Sequence, residues 1–188
     1  MRDALRQQRL ALSPAEVATL SSTIAAKLLD ARLIQGKHVA VYLSYQQEVM
    51  AEKLLPWLFD HGIQCYLPVL APDSRQLTFV HYESDTALQP NRYGILEPIA
   101  KQPTREPHKI DTVIVPLVAF TERCERLGSG QGYYDITFEF MNKTPRPERP
   151  RLIGLAYDFQ CQQELEQHPH DVRLDYVVTE TMVHSAFP

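Results

Sequence analysis

Five short apolar runs recur along the chain, and their alternation with helix-like segments constrains the fold more than any other feature. They occupy residues 38–44 (HVAVYLS), 63–70 (IQCYLPVL), 111–120 (DTVIVPLVAF), 151–157 (RLIGLAY) and 174–180 (LDYVVTE). Each is apolar almost continuously, the pattern of strands buried on both faces. Residues 76–82 alternate instead, as a more exposed strand does. Ser13-Pro14-Ala15-Glu16 places a capping hydroxyl, a proline at the first helical position and a glutamate at the third. Val17, Leu20, Ile24 and Leu28 follow at helical spacing, predicting a helix that ends before Gly36. Residues 2–10 read as a shorter basic helix or arm. Residues 51–60, 133–141 and 160–167 read as further helices. Residues 89–109, around Gly94-Ile95-Leu96-Glu97-Pro98, read as a long connection, and 142–150 as a surface loop. The order predicts one α/β domain over residues 1–188, a three-layer α/β/α domain with a mostly parallel central sheet.

Composition removes several classes of function. A net charge of −4 gives no global reason to bind nucleic acid or an anionic membrane. No apolar run approaches the length of a membrane span. Cys65, Cys124 and Cys161 are far apart and form no CxxC pair, so neither a zinc site nor a disulfide framework is indicated. The opening MRDALRQQRL lacks the apolar core of a signal peptide. A cytoplasmic monomer acting on small molecules is the expectation.

Three of the seven glycines fall in Gly128-Ser129-Gly130-Gln131-Gly132, between a buried strand and a helix start. In an open α/β sheet that place lies at the carboxyl edge of a strand, where ligands bind. Alternating glycines free the backbone for positive φ and leave its amides open to a ligand. With a helix N-terminus behind them, such amides form an anion cradle suited to phosphate. Arg123 and Arg126 lie just upstream, and Asp135, in the first helical turn, is placed to hold Mg²⁺ or to cap the helix. No Gly-Lys-Ser/Thr follows, and the spacing is not that of a dinucleotide fingerprint. By itself the fragment is equally a glycine turn entering a helix.

Read with its neighbours, Arg126-Leu127-Gly128-Ser129-Gly130-Gln131-Gly132-Tyr133-Tyr134-Asp135 closely resembles the RLGxGxGYYD signature of the 5-formyltetrahydrofolate cyclo-ligase (5,10-methenyltetrahydrofolate synthetase) family. Tyr42-Leu43-Ser44 with Glu48, the GILEP segment, the strand 115–120 (VPLVAF), GLAYDFQ at 154–160, His170-Asp171 and Thr179-Glu180 resemble that family's features in the same order. The resemblance implies ATP- and Mg²⁺-dependent conversion of 5-formyltetrahydrofolate to 5,10-methenyltetrahydrofolate through a phosphorylated formyl group. It implies an ATP-binding stretch of Arg126, Leu127, Gly128, Ser129, Gly130, Gln131, Gly132, Tyr133 and Tyr134, with Arg2 as a further ATP ligand. It implies Mg²⁺ ligands at Asp135 and Asp171, and a folate pocket with Glu48, Leu43 and Tyr133. Asp135→Asn is then expected to lower turnover and leave the fold intact.

Two departures from the family pattern bear on nucleotide binding. The basic pair in the family's first helix keeps its arginine at Arg2, but its lysine falls before Met1; Arg6 and Arg9 either substitute or form a solvated basic face. Gln131 stands where Gly or Lys is common. Both departures keep open a folate-binding relative without efficient turnover. An RNA-binding or regulatory role and a phosphosugar enzyme on a similar sheet are further alternatives. Trp57 reads as a packing residue, the seven histidines as unclustered, and Cys124 as open to accidental reaction. Lys143, Arg146, Arg149 and Arg151 read as a solvated loop.

Overall fold

The computed structural model describes residues 1–71, 73–99 and 102–187. In chain order the helices are α1 (Arg2–Leu10), α2 (Pro14–Asp30), α3 (Leu55–Asp60) and α4 (Tyr133–Phe138). The strands are β1 (His38–Ala40), β2 (Gln64–Leu70), β3 (Leu77–Tyr82), β4 (Leu88–Pro90), β5 (Leu96–Pro98), β6 (Thr104–Arg105), β7 (Thr112–Val115), β8 (Ala119–Phe120), β9 (Arg126–Leu127), β10 (Arg151–Leu155), β11 (Tyr176–Val178) and β12 (Val183–Ser185). Eight of them form one sheet in the order β12-β11-β10-β7-β1-β2-β3-β6. The pairs from β11 to β2 are parallel, and the outer ones antiparallel.

Successive residues of the inner strands enter opposite cores, as the period of two in a strand requires. Val39, Ile114, Ile153 and Val178 pack with Ile24, Leu28, Leu54 and Leu58 on one face. Ala40, Val113, Leu152 and Val177 pack with Phe138 and Met141 on the other. These are the three expected layers. Each fully buried aliphatic side chain contributes roughly 1.5–3 kcal/mol. At the start of α2, the Glu16 backbone N–H donates to Ser13 Oγ (3.3 Å) and the Ser13 N–H to Glu16 Oε2 (2.8 Å), the anticipated reciprocal cap.

Several elements differ from expectation for identifiable reasons. The helix expected to end before Gly36 does so, at Asp30, where Arg32 turns left-handed (φ +53°) and the Leu33 N–H closes back on Leu28 O; the others depart further. The strand expected over 38–44 pairs only through Ala40, and its continuation turns away to form the site. The run 111–120 divides at Pro116: β7 stays in the main sheet, while β8 pairs with β9 as a separate antiparallel hairpin. The connection at 89–109, of which Ala100 and Lys101 lie outside the described residues, holds the β4–β5 hairpin and edge strand β6. The helix expected over 133–141 is α4 followed by a 3₁₀ turn, Glu139–Asn142. Of residues 160–167, expected as a helix, only Gln160 is helical, as the end of a 3₁₀ turn, Asp158–Gln160. That segment has no apolar stripe to bury, and Gln160 Nε2 is committed to Leu117 O and Val118 O (3.2 and 2.9 Å). No helix among the described residues is long and apolar enough to cross a membrane.

Chain order fixes where a ligand can enter. From β1 the chain moves outward to β2, whereas from β7 it moves the other way to β10. β1 and β7 are neighbours, so the crevice beyond their carboxyl ends is the topological switch point. Helix α1 packs across it: Leu5 is buried against Val118 and Ala119, just past β7.

Candidate functional site

A cleft of about 840 Å³ opens at that switch point. It is lined by Leu43 and Glu48 after β1, Leu117 and Val118 after β7, the glycine loop 128–132, and one face of α1. Its size lies toward the upper end of the roughly 300–1,000 Å³ typical of small-molecule sites.

Spacing on α1 explains its role. Arg2, Arg6 and Arg9 recur at four and three residues, on the face that also buries Leu5. Arg2 Nε donates to Gly128 O (3.0 Å), Arg6 Nη2 to Ser129 O (2.8 Å), and Arg9 Nε to Gln46 O (3.0 Å). The reading of Arg6 and Arg9 as a solvated basic face is therefore corrected. Arg9 fits neither of the two readings, since it reaches the turn of Glu48 rather than the glycine loop or solvent. Its place four residues after Leu5, on one helical face, was the signal that could have found it.

The glycine loop binds Arg2 and Arg6 through its carbonyls. Among the described residues, the amides of 128–132 have no protein acceptor. Gly130 and Gly132 adopt φ of +101° and +71°, where a side chain would be strained, so the loop's shape depends on glycine at both. Gly132 also caps α4, so free helix-end amides adjoin those of the loop. Beneath the loop lies Arg126, whose side chain is only 4% exposed and which ion-pairs with Asp135. Asp135 Oδ1 also accepts from the Val172 N–H (3.1 Å), tying the segment after Asp171 to α4. Asp171 Oδ2 accepts from the His168 N–H (2.8 Å). One oxygen of each aspartate is thus engaged, and the other has no protein partner among the described residues. No group of three or more His, Cys, Asp and Glu able to hold a metal occurs among them either.

Opposite the loop stands Glu48. It sits on a tight turn in which its N–H donates to Tyr45 O (3.1 Å) and the Tyr45 N–H to its carboxylate (3.2 Å). Arg9 approaches that carboxylate at 3.6 Å. Burial raises the Glu48 pKa above the ordinary glutamate value, with Arg9 opposing the rise. Tyr134 borders the same space, and burial holds its hydroxyl protonated far above the usual range. The Tyr133 hydroxyl is bound by Arg92 and by Tyr93 Oη (3.2 Å), fastening the loop between β4 and β5 over the cleft. Leu43 lines the wall, half buried. The residues that the resemblance assigns to ATP, folate and Mg²⁺ therefore border one cleft, whereas Arg123 lies outside it, beside a separate pocket with Thr121, Glu122 and Gln162.

Other expectations change. Cys124 is fully buried with its thiol pushed up to about 12, so it is inert rather than prone to accidental reaction. Arg146 is no solvated loop residue: it binds Asp175 (3.1 Å), Met141 O and Arg173 O. Arg151 Nη1 donates to Leu33 O (3.1 Å). Trp57 packs on the core as expected and stacks on His61 at 3.9 Å between centroids.

A parallel-centred α/β sheet with a glycine loop and a facing carboxylate at its switch point defines a class of small-molecule enzyme. Comparison with known proteins gives the family. The 5-formyltetrahydrofolate cyclo-ligase family model matches residues 1–180. The 5-formyltetrahydrofolate cyclo-ligase of Escherichia coli K12 is 35% identical over 184 residues, covering 95% of this chain and 98% of that protein. The Haemophilus influenzae protein of the same name is 38% identical over 132 residues, 69% and 67% of the two chains. The Aquifex aeolicus 5,10-methenyltetrahydrofolate synthetase structure superposes with a TM-score of 0.82 at 28% identity, over 100% of this chain and 91% of that one. This chain belongs to the 5-formyltetrahydrofolate cyclo-ligase family, and it is a ligase.

Proposed function

We propose that the cleft binds 5-formyltetrahydrofolate and ATP side by side and closes the folate to 5,10-methenyltetrahydrofolate, releasing ADP and phosphate. The observation that carries this reading is the glycine loop. Its carbonyls are held by Arg2 and Arg6, its amides are uncommitted, and it faces Glu48 across one cavity. Two chemically different subsites, an anion cradle and a carboxylate, then share one space.

The formamide oxygen is a poor leaving group, so ring closure needs it activated. That oxygen attacks the γ-phosphorus and ADP departs, giving an iminophosphate. N10 attacks the formyl carbon, the C–O bond breaks with its electrons going to phosphate, and N10 loses its proton. The formyl oxygen leaves in the phosphate. Such a route asks the protein for alignment and charge neutralisation more than for acid–base groups. Arg126, Leu127, Gly128, Ser129, Gly130, Gln131, Gly132, Tyr133 and Tyr134, with Arg2, line the nucleotide side. Glu48 accepts hydrogen bonds from the pterin's ring N–H and amino groups, and Leu43 and Tyr133 border its ring. The uncommitted oxygens of Asp135 and Asp171 suit Mg²⁺, which takes one or two carboxylates together with phosphate oxygens. When bound, it would neutralise charge on the transferring phosphoryl group.

Isotope transfer tests the route. With ¹⁸O in the formyl group, the label is expected in the released phosphate. Label recovered in water, or no phosphate released while folate binds, overturns it; the second result identifies a folate-binding protein without turnover.

A further inference from the structure

The turn that carries Glu48 is held from three separate elements. Its backbone enters the left-handed region twice in succession, with φ of +48° at Gln46 and +55° at Gln47. Residues with side chains disfavour that conformation, and it persists only where the surroundings over-determine it. Those surroundings are specific. Arg9 Nε from α1 donates to Gln46 O (3.0 Å) and the Tyr157 hydroxyl to Gln47 O (3.1 Å). The Tyr42 hydroxyl donates to Val49 O (2.7 Å). Arg9, with a side chain 5% exposed, also meets the Glu48 carboxylate. Tyr157 is fully buried, distant from the glycine loop in sequence, and linked to the turn by this hydroxyl.

We propose that Arg9 and Tyr157 are positioning residues for the pterin-binding carboxylate: Arg9 meets the Glu48 carboxylate and keeps it aimed into the cleft, and Tyr157 fixes the turn that carries it. The proposal rests on the reading of Glu48 given above. The charged and titratable groups facing Glu48 are Arg6 and Arg9 on α1, Glu52 beyond the turn, and the hydroxyls of Tyr42, Tyr134 and Tyr157. Of these groups the two arginines favour its ionised form, as does the Tyr45 N–H that donates to it, and Arg9 is the strongest of the three.

The test uses the full chain and compares Arg9→Gln, Arg9→Lys, Tyr157→Phe and Glu48→Gln, with KM measured separately for folate and ATP across pH. Arg9→Gln is expected to raise the folate KM about ten- to a hundredfold, leave the ATP KM unchanged, and move the acid limb of kcat/KM for folate to higher pH. Arg9→Lys should recover part of this, and Tyr157→Phe should raise the folate KM without moving the limb. In a Glu48→Gln background the Arg9→Gln effect should largely vanish. A folded Arg9→Gln with parental folate KM and acid limb overturns the proposal, as does an equal effect with and without Glu48. If Arg9→Gln does not fold, parental folate KM in both Arg9→Lys and Tyr157→Phe overturns it. Glu48→Gln at parental folate KM removes the reading of Glu48 itself. A large Glu48→Gln effect beside silent Arg9 and Tyr157 variants removes only their role.

Discussion

Asp135→Asn separates the structural work of that carboxylate from any role toward a metal. The amide oxygen of Asn can still accept from Arg126 and from the Val172 N–H, so the substitution removes charge while keeping shape. What is lost is the counter-charge of a guanidinium that is 4% exposed and whose Nε has no hydrogen-bond partner. Removing one partner of a fully buried pair costs roughly 3–5 kcal/mol. Asp135 keeps 20% exposure and Asn keeps the hydrogen bonds, so the expected loss is smaller, about 2 kcal/mol. In a domain of this size each kcal/mol lowers the melting midpoint by about 2–4 °C, which places the drop at about 4–8 °C. Calorimetry gives the midpoint, and urea titration gives the free energy at constant m. The double variant Arg126→Met/Asp135→Asn should lose less than the two single losses combined. A midpoint unchanged within about 1 °C in Asp135→Asn would refute the pair as a stabilising element. The fold is still expected to stay intact, at a measurably lower stability. Its kinetic effect has meaning only beside that shift.

Gly154→Ala should destabilise by about 1–3 kcal/mol and raise KM for both substrates. Its new Cβ would lie 2.6 Å from Leu174 and 2.7 Å from Leu117, and Leu117 lines the cleft; parental stability by urea titration would count against this packing. Glu48→Gln should raise the melting midpoint at pH 8 and approach the parent below about pH 4.5. A carboxyl whose folded pKa is raised loses stability as pH rises from its unfolded value of 4.5 through the folded one, and Gln escapes that loss. Equal midpoints at pH 8 would contradict it. Arg6→Ala should raise the ATP KM several-fold and the folate KM less, because Arg6 binds the Ser129 carbonyl directly and reaches Glu48 only through its charge. Steady-state kinetics with each substrate varied decides it.

The inner sheet was legible because β7, β10 and β11 are short continuous apolar runs, and nothing but a doubly covered strand buries such a run. The short elements outside those runs, β9 and β12, were not: they carry too few side chains for any period to register, and their pairing is decided by the neighbouring backbone. Residues 160–167 misled because polar helix formers satisfy propensity without supplying an apolar face. In the site, the glycine loop and Glu48 were legible as motif. The pairing of Arg9 with Glu48 was not, since a buried arginine in a basic helix looks like its solvated neighbours until its partner, brought from residue 48, is known.

The central claim is that one cleft joins ATP to a reduced folate. The most direct measurement is the growth of methenyl-folate absorbance from 5-formyltetrahydrofolate with purified protein, with and without ATP and Mg²⁺. Growth is expected to require ATP and to be accompanied by one phosphate per methenyl group formed. No growth from folded, metal-replete protein, or growth that proceeds equally without ATP, would contradict it.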